Sequence, residues 1–297
     1  MTPNPGNANL NQRLRQQLIP GAGHVMPGAA NALAARIIEA TGHAMLMVSG
    51  AAVANTYLGV PDIGLVSLSE LAGHVGAIRD SVRIPILVDG DTGFGNAISV
   101  VHTVRVLERA GANAIMLEDQ TFPKRCGHFE GKDIVSRDEM VQKIKAAVDT
   151  RSDHRLMILA RTDARAVEGL QAALDRALAY QEAGADFLFV EAPLSGDELA
   201  SIPRAVPGIH VCNMVVGGKT PLLSRNELAA MGYSVILYAN VALQASMMAM
   251  QLTLQHLHDS GSIAGVEDQL MMFRERQQMV DAEHFNTLAQ RYATPMV

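Results

Sequence analysis

Tryptophan is absent from this 297-residue chain, and aromatic residues together make up only 4% of it. With a net charge of −6 and no basic patch interleaved with aromatics, the chain has neither the stacking platforms nor the positive field used to hold nucleic acid or an anionic membrane. Cysteine is scarce: only Cys126 and Cys212 occur, far apart in sequence. That excludes a disulfide framework and Cys-based zinc spacing, and it points to reduced thiols in a cytoplasmic protein. No uninterrupted apolar stretch reaches the roughly 20 residues that span a bilayer. The polar segment from Met1 to Leu18, rich in Asn and Gln, has no signal-peptide core. Charged residues are few at 18% against 48% hydrophobic, which excludes a disordered chain and leaves ample material for a core. The sixteen methionines suit adaptable packing in a core or a subunit interface.

Short apolar runs alternate regularly with longer amphipathic stretches. The runs at 22–26, 44–48, 84–89, 113–118, 156–161, 186–191, 208–213 and 233–238 read as strands buried on both faces. Asn96 to Arg109, Ser136 to Thr150, Glu168 to Glu182 and Ser224 to Met231 read as helices, with Ser136 and Glu139 forming a capping box. Two segments nearly repeat: Glu108-Arg109-Ala110-Gly111-Ala112 runs into a strand ending at Glu118, and Glu182-Ala183-Gly184-Ala185 into one ending at Glu191. Each is a helix end, a glycine cap, a tight turn and a strand finishing in Glu. Eight such units predict an α/β protein, a closed (β/α)8 TIM-type barrel forming one domain over 1–297. A doubly wound open sheet is the alternative, weakened because no Gly-rich nucleotide fingerprint follows an early strand. From about 241 to 297 the chain is helical, which is more helix than a barrel needs, so this extension is expected to pack on a neighbouring subunit.

In such barrels the chemistry lies at the C-terminal strand ends. Those ends read Ser49-Gly50-Ala51, Asp89-Gly90-Asp91, Glu118-Asp119, Arg161-Thr162-Asp163, Glu191 and Asn213. Asp89 and Asp91 are two apart and so share one side of a strand. With Glu118 they offer three hard oxygen ligands, a set suited to Mg2+ or Mn2+. Arg161 follows a buried run and needs an anion. That anion is either a substrate carboxylate gripped by its planar fork or an internal partner among Asp163, Glu191 and Glu118. Cys126 sits among Lys124, Arg125 and His128, cations that lower the cost of a thiolate.

These residues resemble the short-chain branch of the isocitrate lyase and phosphoenolpyruvate mutase superfamily, which holds 2-methylisocitrate lyases, 2,3-dimethylmalate lyases and carboxyphosphonoenolpyruvate mutases. The matching segments are Leu58 to Gly64, Val88 to Gly95, Glu118-Asp119-Gln120 with Pro123 to His128, Ala160 to Ala164, and Asn213 with Gly217 to Pro221. The Lys-Arg-Cys-Gly-His loop is the most specific of them. The resemblance implies last helices exchanged between subunits in a homotetramer, a dimer of dimers. It implies Mg2+ held by Asp89, Asp91 and Glu118, partly through water. A small carboxylate substrate would be bound by Ser49, Gly50, Ala51, Asp62, Gly127, Arg161, Glu191 and Asn213.

The implied reaction is retro-aldol cleavage of a substituted 2-hydroxy dicarboxylate to pyruvate or glyoxylate and a second carboxylate. Cys126 protonates the enediolate, with Arg161 and His128 as further catalytic residues. A phosphonomutase, an oxaloacetate decarboxylase or hydrolase, and an inactive ligand-binding relative are the alternatives. Three positions depart from the lyases: Val216 stands where they carry Glu, Met47 where many carry Tyr, and Ala239-Asn240 follows Tyr238 in place of Pro. All three are expected at the pocket, making it less polar and favouring an alkyl-substituted malate over 2-methylisocitrate.

Overall fold

The computed structural model describes residues 6–125, 127 and 131–293. Cys126 and His128 therefore lie outside the described residues. The chain divides into two compact units, Pro5–Val241 and a C-terminal one containing Ala242–Val297.

The first unit is a closed barrel of eight parallel strands in sequential order. They are β1 (His24–Ala29), β2 (Leu46–Val48), β3 (Ile86–Asp89), β4 (Ala114–Glu118), β5 (Met157–Thr162), β6 (Phe187–Val190), β7 (His210–Asn213) and β8 (Val235–Tyr238). Every predicted strand is present, most trimmed by a residue or two. Two run past the expected end, β5 by one residue to Thr162 and β1 through Pro27-Gly28 to Ala29. β1 can do so because Gly28 has no Cβ: one built there would strike the Ala239 backbone where β8 closes on β1.

Strand parity divides the core. Leu46, Val48, Ile86, Val88, Ile115 and Leu117 face the surrounding helices. Met47, Leu87, Met116, Leu159, Phe189, Val211 and Leu237 fill the barrel interior, together with Leu14 and Leu18 of the N-terminal segment. Since side chains alternate, the next inward residue after each of these is known: Ser49, Asp89, Glu118, Arg161, Glu191, Asn213 and Ala239. The apolar interior thus ends in a polar ring at the C-terminal mouth.

Helix starts follow side-chain caps. Asn96 accepts from Ile98 and Ser99 N–H groups, and Ser136 accepts from Glu139 N–H at 3.1 Å. The reciprocal box expected at Ser136 is instead present at Ser67–Glu70 and Ser224–Glu227, which carry the same spacing. The stretch from Glu168 begins its helix only at Leu170, after a short turn of helix at Ala164–Val167, because Gly169 with φ 93° breaks the path between them.

In the second unit the longest helix, Val241–Ser260, has no buried residue. Met247, Met248, Met250, Leu252 and Leu254 along it are all more than half exposed. No helix among the described residues is long and apolar enough to cross a membrane.

Candidate active site

The polar ring surrounds a cavity of about 230 Å3 at the C-terminal mouth. Its apolar wall is Met47, Met116, Phe189 and Leu237, the last inward residues before the ring. Parity applied to the predicted strands would have found this wall, which reading only the polar termini misses.

One side is acidic. β3 ends at Asp89, and Asp91 stands in the turn beyond it with φ 49°. The two carboxylates do share a side, but through this left-handed turn and not by strand alternation. They converge on Gly50: a Cβ there would lie 3.0 Å from Asp89 Oδ2 and 3.2 Å from Asp91 Oδ1. Gly50 N–H donates to Asp89 Oδ2 at 3.2 Å, so this donor is committed to the aspartate. Ser49 caps the short helix Gly50–Val53 and its hydroxyl reaches Asn240 Oδ1 at 3.2 Å, while Ala51 lines the cavity.

Glu118 and Asp119 end β4 with opposite duties. Asp119 faces outward and is fully used by the Thr162 hydroxyl (2.7 Å), Asp163 N–H (2.9 Å) and the Tyr180 hydroxyl (2.8 Å). Glu118 faces the cavity, 1% exposed, and its Oε1 has no hydrogen-bond partner among the described residues. Asn213 Oδ1, across the mouth, is likewise unpartnered. Burial raises the Glu118 carboxyl well above its usual range despite Arg161 and Lys124 nearby. Burial also pushes Asp91 up to about 7, against the pull of Lys124. Burial of this kind favours the uncharged carboxyl, and a cation in the cavity would shift the balance to the carboxylate.

Lys124 is the local cation. Its ammonium lies 2.6 Å from Asp62 and 2.8 Å from Asp91, with the side chain 3% exposed. Burial alone would lower its pKa, but the carboxylates Asp91, Asp89, Glu118 and Asp62 hold it well above the ordinary lysine value. Among the described residues its charge is matched by two aspartates. Arg125 is tied at its backbone, its N–H and C=O both meeting the Gln120 carboxamide.

The donor chemistry of the acidic side fits a hard divalent cation: oxygen ligands only, an orphaned buried carboxylate oxygen and a glycine that clears the space beside two others. Among the described residues no three such groups are drawn together tightly enough to enclose a bare ion.

Arg161 defines the other side. All three expected internal partners are present at once. Nε and Nη2 bind Asp163 at 2.9 and 3.1 Å, while Nη1 lies 3.4 Å from Glu118 and 3.3 Å from Glu191. The guanidinium also sits 5.4 Å from the Phe189 ring centroid. The fork is thus taken by Asp163, and a substrate carboxylate would meet Nη1 alone, not a bidentate grip. Asp163 is fully buried; burial would raise it, but Arg161 and Lys132 hold it below the usual carboxylate range. Gly127 packs directly against this pair, since a Cβ there would clash with Arg161 Nη2 and stand 2.7 Å from Glu191 Cδ.

Of the three departures, Met47, Ala239 and Asn240 line the cavity as expected. Val216 does not: it is 62% exposed, and Val215 lines the cavity in its place. Two-residue alternation carried on from the inward-facing Asn213 puts Val215, not Val216, on the cavity side.

The chain matches the phosphoenolpyruvate phosphomutase family over residues 14–258. It is 41% identical over 286 residues to the 2,3-dimethylmalate lyase of Eubacterium barkeri, covering 96% of this chain and 99% of that one. It is 44% identical over 246 residues to the 2-methylisocitrate lyase of Aeropyrum pernix, covering 83% and 79%. Among solved structures, oxaloacetate acetylhydrolase in complex with 3,3-difluorooxalacetate superposes with a TM-score of 0.89 at 30% identity, covering 97% and 99%. Phosphonopyruvate hydrolase in complex with oxalate and Mg++ does so at 0.85 and 32%, covering 95% and 98%. A family match over most of the chain, joined to relatives above 40% identity along nearly its full length, makes this protein a member of the phosphoenolpyruvate phosphomutase family, within the PEP mutase/isocitrate lyase superfamily.

Proposed function

We propose that the chain is a Mg2+-dependent carbon–carbon lyase that cleaves an alkyl-substituted 2-hydroxy dicarboxylate of malate size into a 2-oxo acid and a second carboxylate. The observation that carries the reading is a small cavity with the orphaned Glu118 oxygen and the aspartate pair on one side, Arg161 Nη1 on the other, and an apolar wall of Met47, Met116, Phe189 and Leu237. The orphaned Glu118 oxygen has use for a cation, Arg161 Nη1 can trade its contacts with Glu118 and Glu191, at 3.4 and 3.3 Å, for a substrate carboxylate, and the wall suits alkyl groups. The 2,3-dimethylmalate lyase relative agrees with it.

Asp89, Asp91 and Glu118 would hold the metal, with Mn2+ as a substitute. Bound there, it would polarise the carboxylate and C2 oxygen of the 2-oxo-acid half. The chain's own groups do the rest. Arg161 Nη1 places the distal carboxylate, and the apolar wall excludes water beside the carbon that becomes negative. When the substrate hydroxyl loses its proton, its C–O bond becomes C=O and the adjacent carbon–carbon bond breaks. The bonding pair passes to the distal fragment as an enediolate. Cys126, as a thiol, donates the proton that quenches that carbon, and His128 stands two residues away in sequence as a further donor. A cysteine near its ordinary pKa of about 8.5 is protonated at pH 7 and suited to that task.

The exposed Met and Leu side chains of Val241–Ser260 support helix exchange between subunits in a homotetramer. The test is a panel of substituted malates, 2-methylisocitrate and phosphonopyruvate, followed for 2-oxo-acid release with Mg2+. Substituted malates are expected to give the highest kcat/KM. Faster cleavage of 2-methylisocitrate would overturn the substrate assignment, and turnover of the phosphonate alone would overturn the lyase.

A further inference from the structure

Lys132 has no part in the chemistry described above, yet it is among the most deeply buried cations of the barrel, its side chain 1% exposed. Its ammonium lies 2.6 Å from Asp163 Oδ1 and donates to the Gly127 carbonyl at 2.5 Å. Asp163 in turn holds the Nε and Nη2 edge of Arg161. Gly127 lies against the same guanidinium, with no room for a side chain between them. One ammonium therefore ties together a carboxylate that orients Arg161 and a peptide that covers it.

The return limb bearing Lys132 is itself fixed. Thr121 N–H donates to Asp133 C=O at 2.9 Å and Val135 N–H to Asp119 C=O at 2.8 Å, with Gln120 and Ile134 paired antiparallel between them. A buried lysine is a poor choice for stability alone, because an apolar side chain of similar volume avoids the desolvation cost. What an apolar replacement could not do is bind Gly127 and Asp163 at once.

We infer that Lys132 is a positioning residue for anion binding: it fixes Asp163 and the Gly127 peptide so that Arg161 presents Nη1 to the cavity. The inference rests on the proposed reading of the cavity as an oxo-acid site. It deepens that reading by locating part of the affinity for the substrate's carboxylates in a residue that touches no substrate.

The probe is oxalate, titrated calorimetrically with Mg2+ present into wild type, Lys132→Met and Lys132→Arg, beside the thermal midpoint of each. Charged hydrogen bonds of this kind set the expected loss: Lys132→Met weakens oxalate binding by about 10- to 100-fold. Lys132→Arg restores part of it, and both variants stay folded. Should the Met variant fail to fold, the Arg variant carries the test, with oxalate affinity reduced but measurable while its midpoint stays close to wild type. Equal oxalate affinity in wild type and in a folded Lys132 variant overturns the positioning role. Failure of wild type itself to bind oxalate overturns the oxo-acid reading, and the inference with it, and is distinguishable because it precedes any substitution.

Discussion

At the N-terminal ends of the strands, Asn113 uses its whole carboxamide. Oδ1 accepts from Arg79 Nη1 at 3.2 Å and from Ile86 N–H at 2.9 Å, while Nδ2 donates to Asn11 Oδ1 at 2.7 Å. Nearby, Asp186 is held between Arg15 and Arg151 at 2.7 and 2.6 Å. At the C-terminal ends, Glu118 leaves a carboxylate oxygen unpartnered and burial lifts both it and Asp91 out of the normal range. Unpartnered atoms exist at the other end too, on His210, Ser234 and Nε of Arg79, but the Arg79 guanidinium is tied through its other two nitrogens to Asn113 Oδ1 and Val82 C=O. What separates the two ends is a buried, unpartnered carboxylate oxygen that faces a cavity. A protein keeps that only where a ligand will compensate it, so one end of the barrel reads as architecture and the other as chemistry.

The largest effect expected from this contrast is at Glu118. Glu118→Gln keeps the shape and removes the charge, so 2-oxo-acid release should fall about 100- to 1000-fold while the thermal midpoint holds or rises. Loss of stability in step with activity would make the glutamate structural and break the comparison. At the opposite end Asn113→Ala should do the reverse. It strands three buried partners, which costs roughly 3 kcal/mol and lowers the midpoint by roughly 6–12 °C in a scanning experiment. The kcat of the protein that remains folded should be unchanged.

The smallest effect concerns His210, a fully buried ring at the start of β7 bonded to Val206 C=O at 2.6 Å. Burial lowers its pKa below the usual value of about 6.5, so the unfolded chain binds a proton more readily than the fold does. Its contribution is complete above that pH and is lost as the pH falls. His210→Gln should flatten the decline in midpoint below about pH 6.5, and an unchanged acid limb would remove His210 from the account.

Much of this contrast was legible in the residues. The eight apolar runs are the eight strands, and Glu118, Arg161 and Glu191 stand at their ends because each run finishes where its polar residue begins. The capping serines and Asn96 marked helix starts through their own oxygens. Contacts between segments distant in sequence were not legible. That Lys124 would pair with Asp62, sixty-two residues away, depends on how the chain folds back. Lys132 carried no signal, being one lysine in a polar stretch whose meaning comes from Asp163 on another strand. Val216 was expected at the pocket from resemblance to the lyases alone; alternation carried on from Asn213 picks out Val215, which does line the cavity.

The most direct test is a calorimetric titration of Mg2+ into chelator-treated protein, run on wild type and Glu118→Gln. The account predicts one site in wild type and a clear loss of affinity in the variant, with both folded. No binding to wild type, or equal binding to both, would contradict the claim that the carboxylates at the mouth of the barrel are there for a metal.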